Sequence, residues 1–319
     1  LFGILTLVLL APSSKAQTTY TAIQDVSSFG WLDQYSLNTL QYNFVGPEAC
    51  VPTSSVNVMT YLQNIAPSYF GTGLTGSTYA DWIDVDTTLI SPAYMNTSPT
   101  SAATAYNRLH FGLSQYIVGL QGFTGVQFSG MIPSFVWDNP SVAPPPESRP
   151  STIADSLPTW SFLLEALNSN SGTVLGLSYT NLNGGHAVSL GGFDWTDSND
   201  NGRIDLAENA MLYFVDPLDP TRGTDPSGGA QFTMGQIWED QVVNPTNSSE
   251  VYNTLLLGYS QYGGSDLWGG ALGGSTNYGM ATAYLTTAVA ITVPEPSSYA
   301  LLGLGVVGVI MFLRRRKTA

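Results

Sequence analysis

The sequence predicts an α+β domain in which a helical region is followed by an antiparallel β region. Three observations carry that expectation. Apolar residues recur at helical spacing in the first half, and a proline-rich stretch interrupts the chain near residue 140. Short β-branched and aromatic runs bounded by Gly, Asn and Asp then fill the second half.

Taken in order, residues 1–10 form an apolar run followed by small residues and an Ala-x-Ala-like site near "SKA". This reads as the h-region and cleavage site of a truncated secretory signal, residues 1–16, with the mature chain beginning near Gln17. Residues 52–65 carry Val56, Val58, Met59, Tyr61 and Leu62 at the spacing of a helix packed on one broad face. "ADWIDVDTTLI" (80–90) and "TSAATAYNRLHFGLSQYIVGL" (100–120) are two further helices by the same criterion. "NPSVAPPPESRP" (139–150) cannot be regular structure, because proline removes donors and fixes φ, and it is expected to join two lobes. "TWSFLLEALNSN" (159–170) returns to helical spacing. "GTVLGLSYTN", "HAVSLGGFDW" and "AMLYFVDP" then read as strands, with "VYNTLLLGYSQ" and "ATAYLTTAVAITV" adding more.

The C-terminal end is "VPEPSSYALLGLGVVGVIMFLRRRKTA". Residues 299–313 are apolar, somewhat short for a span of about 20 residues. They sit between Pro294-Glu295-Pro296 and a basic cluster suited to the cytoplasmic side of a membrane. These three parts in this order resemble the PEP-CTERM sorting signal of Gram-negative bacteria over residues 294–319. The resemblance implies attachment to the membrane through the C-terminal helix until an exosortase-type enzyme processes the tail. It also implies delivery to the cell envelope, outer surface or extracellular matrix.

Between these ends, residues 17–293 are expected to form one domain. Five of the nine basic residues, Lys15 and those at 314–317, and one of the 23 acidic ones, Glu295, belong to the end segments. Four arginines then face 22 carboxylates, a net charge of −18. Such a surface repels nucleic acid, so no nucleic-acid partner is expected. A single cysteine excludes an internal disulfide framework, although export would permit one.

That cysteine, Cys50 in "GPEACVPTSS", stands at the expected start of a helix, where unpaired N–H groups and the macrodipole favour a thiolate. Pro52 suits the first helical turn, where an N–H has no intrahelical acceptor. A thiolate also needs a proton acceptor and a group to orient it. Of the two histidines, His110 lies within an amphipathic helix and reads as structural or surface. His186 follows Gly184-Gly185 and opens a strand, where backbone can approach closely. Asp216 ends the strand "MLYFVDP" and could accept the Nδ1 proton of His186.

Cys50-Val51-Pro52-Thr53, Gly185-His186-Ala187-Val188 and Asp216-Pro217, in that order, resemble the papain-like cysteine peptidases, nearest to the bacteriocin-processing branch. The resemblance implies Cys50 as nucleophile, His186 as base and acid, and Asp216 as orienting group. It also implies an amide donor to the oxyanion six residues before the cysteine. That position is Phe44, and Val51 replaces the usual Gly. Gln41, nine before, or Asn43, seven before, could supply the amide. A peptide or protein is the implied substrate. A catalytically silent envelope protein of the same fold, and a transamidase or amidase using the same triad, are the alternatives.

Between His186 and Asp216 lies "DSNDNGRIDLAE" (197–208), which meets the twelve-residue calcium-loop pattern. Asp197, Asn199, Asn201, the Arg203 carbonyl, Asp205 and Glu208 would be the ligands of a Ca²⁺ ion. Gly202 makes the turn, and Ile204 faces the core. The loop resembles those of EF-hands and dockerins. No second loop and no entering helix are evident, so a calcium-stapled connection is expected, with a solvated Asp/Asn turn as the alternative.

Overall fold

The computed structural model describes residues 17–34, 49–97, 104–138, 147–179, 185–218, 229–244, 247–259 and 281–294. A first strand, β1 (Thr18–Ile23), precedes the helices α1 (Cys50–Ile65), α2 (Pro67–Phe70), α3 (Tyr79–Ile90) and α4 (Leu109–Ser114). Then come β2 (Gln127–Met131), α5 (Ser134–Trp137), β3 (Ile153–Ala154) and α6 (Trp160–Asn168). The chain continues with β4 (Gly172–Tyr179), β5 (Gly185–Asp197), β6 (Met211–Val215), β7 (Thr233–Asn244), β8 (Asn247–Tyr259) and β9 (Ala281–Thr292).

All nine strands form one sheet, and the antiparallel pairs β4–β5, β5–β6, β6–β7, β7–β8, β8–β9 and β9–β4 complete a closed circuit. Two shared strands make closure possible. The start of β5 pairs with β4 and its end with β1, while β9 is shared in the same way between β8 and β2. One apolar cluster unites Leu175, Leu177, Val188, Leu190, Phe214, Ile237, Leu257 and Leu285 with Leu163 and Leu167 of α6. A second joins Val174, Ala187, Val289 and Ile291 to α1, α3 and α4. Alternation along each strand thus sends successive side chains to different cores.

Helix and strand regions are less segregated than the sequence suggests. β1 comes first and pairs with β5, and β2 and β3, on either side of the proline-rich stretch, pair with each other in parallel. The expected joint between two lobes therefore connects neighbouring strands of one sheet; residues 139–146 lie outside the described ones. The third expected helix begins only at Tyr106 as a 3-10 turn (Tyr106–Arg108), becomes α4, and widens into a π-turn (Gln115–Leu120). Gly112, pressed against Met95, and Gly119 leave that segment with weak helical propensity.

α1 departs from a one-faced helix in a way that bears on function, because every residue from Cys50 to Gln63 is buried. Its polar side chains act as staples instead of facing water. Ser54 Oγ donates to the Ala187 carbonyl at 2.8 Å, and Ser189 Oγ donates back to the Ser54 carbonyl at 3.0 Å. Asn57 accepts from Leu32 N and donates to its carbonyl, and Gln63 bonds Leu74, Thr75 and Gly76. The Ser54 and Ser189 bonds set α1 against β5 and bring its first residue toward the start of that strand.

Candidate active site

Cys50 is the first residue of α1, after Ala49, which provides no side-chain cap. The Thr53 N–H closes on the Ala49 carbonyl at 2.9 Å, and Pro52 has no N–H. The N–H groups of Cys50 and Val51 thus have no acceptor within the helix and point out of its positive end.

His186 is the second residue of β5, facing Leu177 of β4, and Asp216 follows β6 directly. Because Ser189 is in register with Val215, the antiparallel β5–β6 pair brings the start of one strand to the end of the other. His186 Nε2 lies 2.7 Å from Asp216 Oδ1, and that oxygen also accepts the Leu218 N–H at 2.8 Å. The ring is turned the other way from the expected Nδ1–Asp216 contact. Nε2 serves the carboxylate and Nδ1 faces away from it, and the Cys50 side chain lies close enough to the ring to help raise its pKa. Cys50, His186 and Asp216 therefore meet, at 4%, 1% and 5% exposure.

Burial by itself would drive the His186 ring neutral. The Asp216 carboxylate, by its charge and its hydrogen bond, together with the Cys50 contact, outweighs that and holds the histidine well above its ordinary range. The Tyr106 hydroxyl shares its proton between the backbone carbonyls of Leu177 (2.7 Å) and His186 (2.9 Å).

Two polar groups near the site escape sequence reasoning. Asp86 of α3 is fully buried against the first turn of α1, where Thr53 Oγ1 donates to its Oδ2 at 2.9 Å. Burial pushes its carboxyl up to about 8, against the Thr53 bond. Gln34 is buried, and its backbone N–H donates to the Pro217 carbonyl, one residue past Asp216. The capping and helical patterns around Asp86 announce a helix but not which side chain faces α1. Gln41 and Asn43 lie outside the described residues. His110 is buried and pairs with Glu147 at 2.9 Å, a structural role.

The 197–208 loop follows β5 with Gly202 at φ +71° and Ile204 fully buried. Asp197 accepts from the N–H groups of Asn201 and Gly202, while Asn199 and Asn201 both donate to Asp205 Oδ2, at 2.7 and 2.9 Å. Positions 3, 5 and 9 thus gather at one point, as a calcium site requires. Glu208 is turned elsewhere, accepting from Trp195 Nε1, Ser198 and the Asp205 N–H. Among the described residues no three His, Cys, Asp or Glu side chains form a metal cluster. Calcium would require the two amides to turn their oxygens inward and Glu208 to give up those bonds.

Residues 292–317 match the family model of the PEP-CTERM protein-sorting motif. The C-terminal tail is a PEP-CTERM sorting signal. It marks the protein for export and sorting to the Gram-negative cell envelope, with exosortase processing at the C-terminus. The PEP-CTERM match starts at Thr292, the last residue of β9, so the signal leaves directly from a strand paired on both edges. Among the described residues no helix is long and apolar enough to cross a membrane, and 299–313 lie outside them. No curated protein is significantly similar to the chain.

Proposed function

We propose that this exported protein is a cysteine hydrolase, a peptidase of papain-like fold, in which Cys50, His186 and Asp216 do the chemistry. One observation carries the reading: one buried imidazole is bonded through Nε2 to a carboxylate and lies beside a thiol at a helix N-terminus. His186 takes the Cys50 proton at Nδ1, and Asp216 stabilises the resulting imidazolium. The thiolate sulfur attacks the substrate carbonyl carbon, and the Cys50 N–H is placed to stabilise the oxyanion, joined by an amide side chain. Nδ1 then protonates the departing amine as the C–N bond breaks, leaving a thioester. Water, deprotonated by the same nitrogen, adds to the thioester carbon and releases the acid, returning the proton to sulfur.

Calcium bound by Asp197, Asn199, Asn201, the Arg203 carbonyl, Asp205 and Glu208 belongs to this reading as a structural tie. The loop joins β5 to β6, the strands that present His186 and Asp216, so the ion would stiffen their connection.

The depth of the three residues favours a second reading, a catalytically silent envelope protein of the same fold. Iodoacetamide near neutral pH separates the two. Selective, rapid carbamidomethylation of Cys50 supports the hydrolase, and a thiol slower than free cysteine supports the silent protein. A peptide-library digest should then show cleavage that Cys50→Ala abolishes with little change in melting temperature. Cleavage retained in that variant would overturn the assignment.

A further inference from the structure

Tyr106 takes no part in the proposed chemistry, yet it touches the strand that carries the base. Leu177 and His186 face each other across β4 and β5, and the Tyr106 hydroxyl bridges their two carbonyls at 2.7 and 2.9 Å. Two glycines make room for it. A Cβ on Gly176 would lie 2.9 Å from the phenol ring, and one on Gly185 would lie 2.6 Å from the hydroxyl. Gly185 immediately precedes His186, so the phenol rests on the peptide unit from which the imidazole projects. The described β4–β5 pairing ends at Ser178 and Gly185, one rung beyond, and ladder ends are where strands open most readily. Burial, then the neighbouring Cys50 thiol, raise the Tyr106 pKa well above the ordinary tyrosine value, so the hydroxyl remains a donor at every working pH.

We propose that Tyr106 is a positioning residue for His186, clamping the last rungs of β4 and β5 so that the imidazole stays aligned between Cys50 and Asp216. The inference rests on the hydrolase reading above. Misplacing a reacting group by about 1 Å can cost about 100-fold in rate, so the clamp matters even though it touches no substrate.

The test is Tyr106→Phe, which keeps the ring between the glycines and removes only the donor. The readouts are the rate of Cys50 alkylation by iodoacetamide from pH 5 to 9, and kcat and KM for a peptide cleaved by the wild type. The expected result is an alkylation profile moved toward that of a free thiol, with kcat reduced about 10- to 100-fold and KM within about twofold. A lowered melting temperature with an unchanged alkylation profile and unchanged kcat would show a purely structural phenol and overturn the proposal. Should that variant not fold, Gly176→Ala, whose added Cβ would meet the Tyr106 ring at 2.9 Å with that ring as its nearest contact, is read by the same criteria. A wild-type thiol no more reactive than free cysteine overturns the hydrolase reading itself, a result seen before any variant is made.

Discussion

Replacing Asp216 by asparagine changes the charge at one atom of the buried pair while preserving its shape. The new amide oxygen could still accept from His186 Nε2 and from the Leu218 N–H, so the loss is chiefly that of the carboxylate charge. Both partners are buried, with side chains 2% and 7% exposed and 2.7 Å apart. Removing one member of such a pair outright costs about 3–5 kcal/mol. Retaining the hydrogen bonds should limit the loss to about 1.5–3 kcal/mol, the range for a bond to a charged group. For a domain of this size that corresponds to roughly 3–12 °C in melting temperature. The pH dependence is the sharper part. His186 is held above its unfolded value by Asp216, so its stabilisation is complete below about pH 6.5. It fades as pH rises through the elevated folded value. Melting of wild type and Asp216→Asn by scanning fluorimetry should therefore show a gap largest below about pH 6.5 and shrinking as pH rises through the elevated folded value. A gap that is constant or grows with pH would refute the claim that Asp216 holds the imidazolium.

Asp86 gives a second signature of the same sign. A carboxyl raised to about 8 by burial destabilises the fold progressively as pH rises from about 4 to 8, so Asp86→Asn should be the more stable protein at pH 8, by a few kcal/mol. Urea melts at pH 5 and 8 check this; equal differences at both would refute it. Calcium should raise the melting temperature and bind in calorimetry, and Asp205→Ala should abolish both effects. Indifference to Ca²⁺ and to chelator would leave the loop a hydrogen-bonded turn. The oxyanion amide can be found by single substitutions of Gln34, Gln41 and Asn43 by Ala: the true donor should lower kcat about 10²–10³-fold with little change in KM. Equal, small effects at all three would leave the Cys50 N–H as the remaining donor.

Local pattern made some elements legible and hid others. The strands β4, β5 and β6 were readable because their Val, Leu and Phe runs are bounded by turn residues. β1, "TTYTAI", and β7, "TMGQIWEDQVVN", were not, since one is largely solvent-facing and the other intersperses Gln236, Glu239, Asp240 and Gln241 among its apolar positions. α1 was legible as a helix but not as a fully buried one, because burial of Ser54, Asn57 and Gln63 depends on acceptors supplied by distant segments. The Gly before His186 signalled a close approach; that Tyr106 makes it could not be read, with 79 intervening residues whose path the sequence does not specify.

What the amino-acid order determined alone is what depends on neighbours along the chain. It set a sorting tail, a cysteine opening a helix, a histidine opening a strand, an aspartate closing another, and a twelve-residue turn. The closed circuit of strands decided the rest. The β5–β6 register brought His186 to Asp216 and turned Nε2, not Nδ1, toward the carboxylate. Packing of α3 on α1 buried Asp86. Side-chain pairing across such sequence separations is fixed by the sum of many weak contacts and strand registers, and no local spacing encodes that sum.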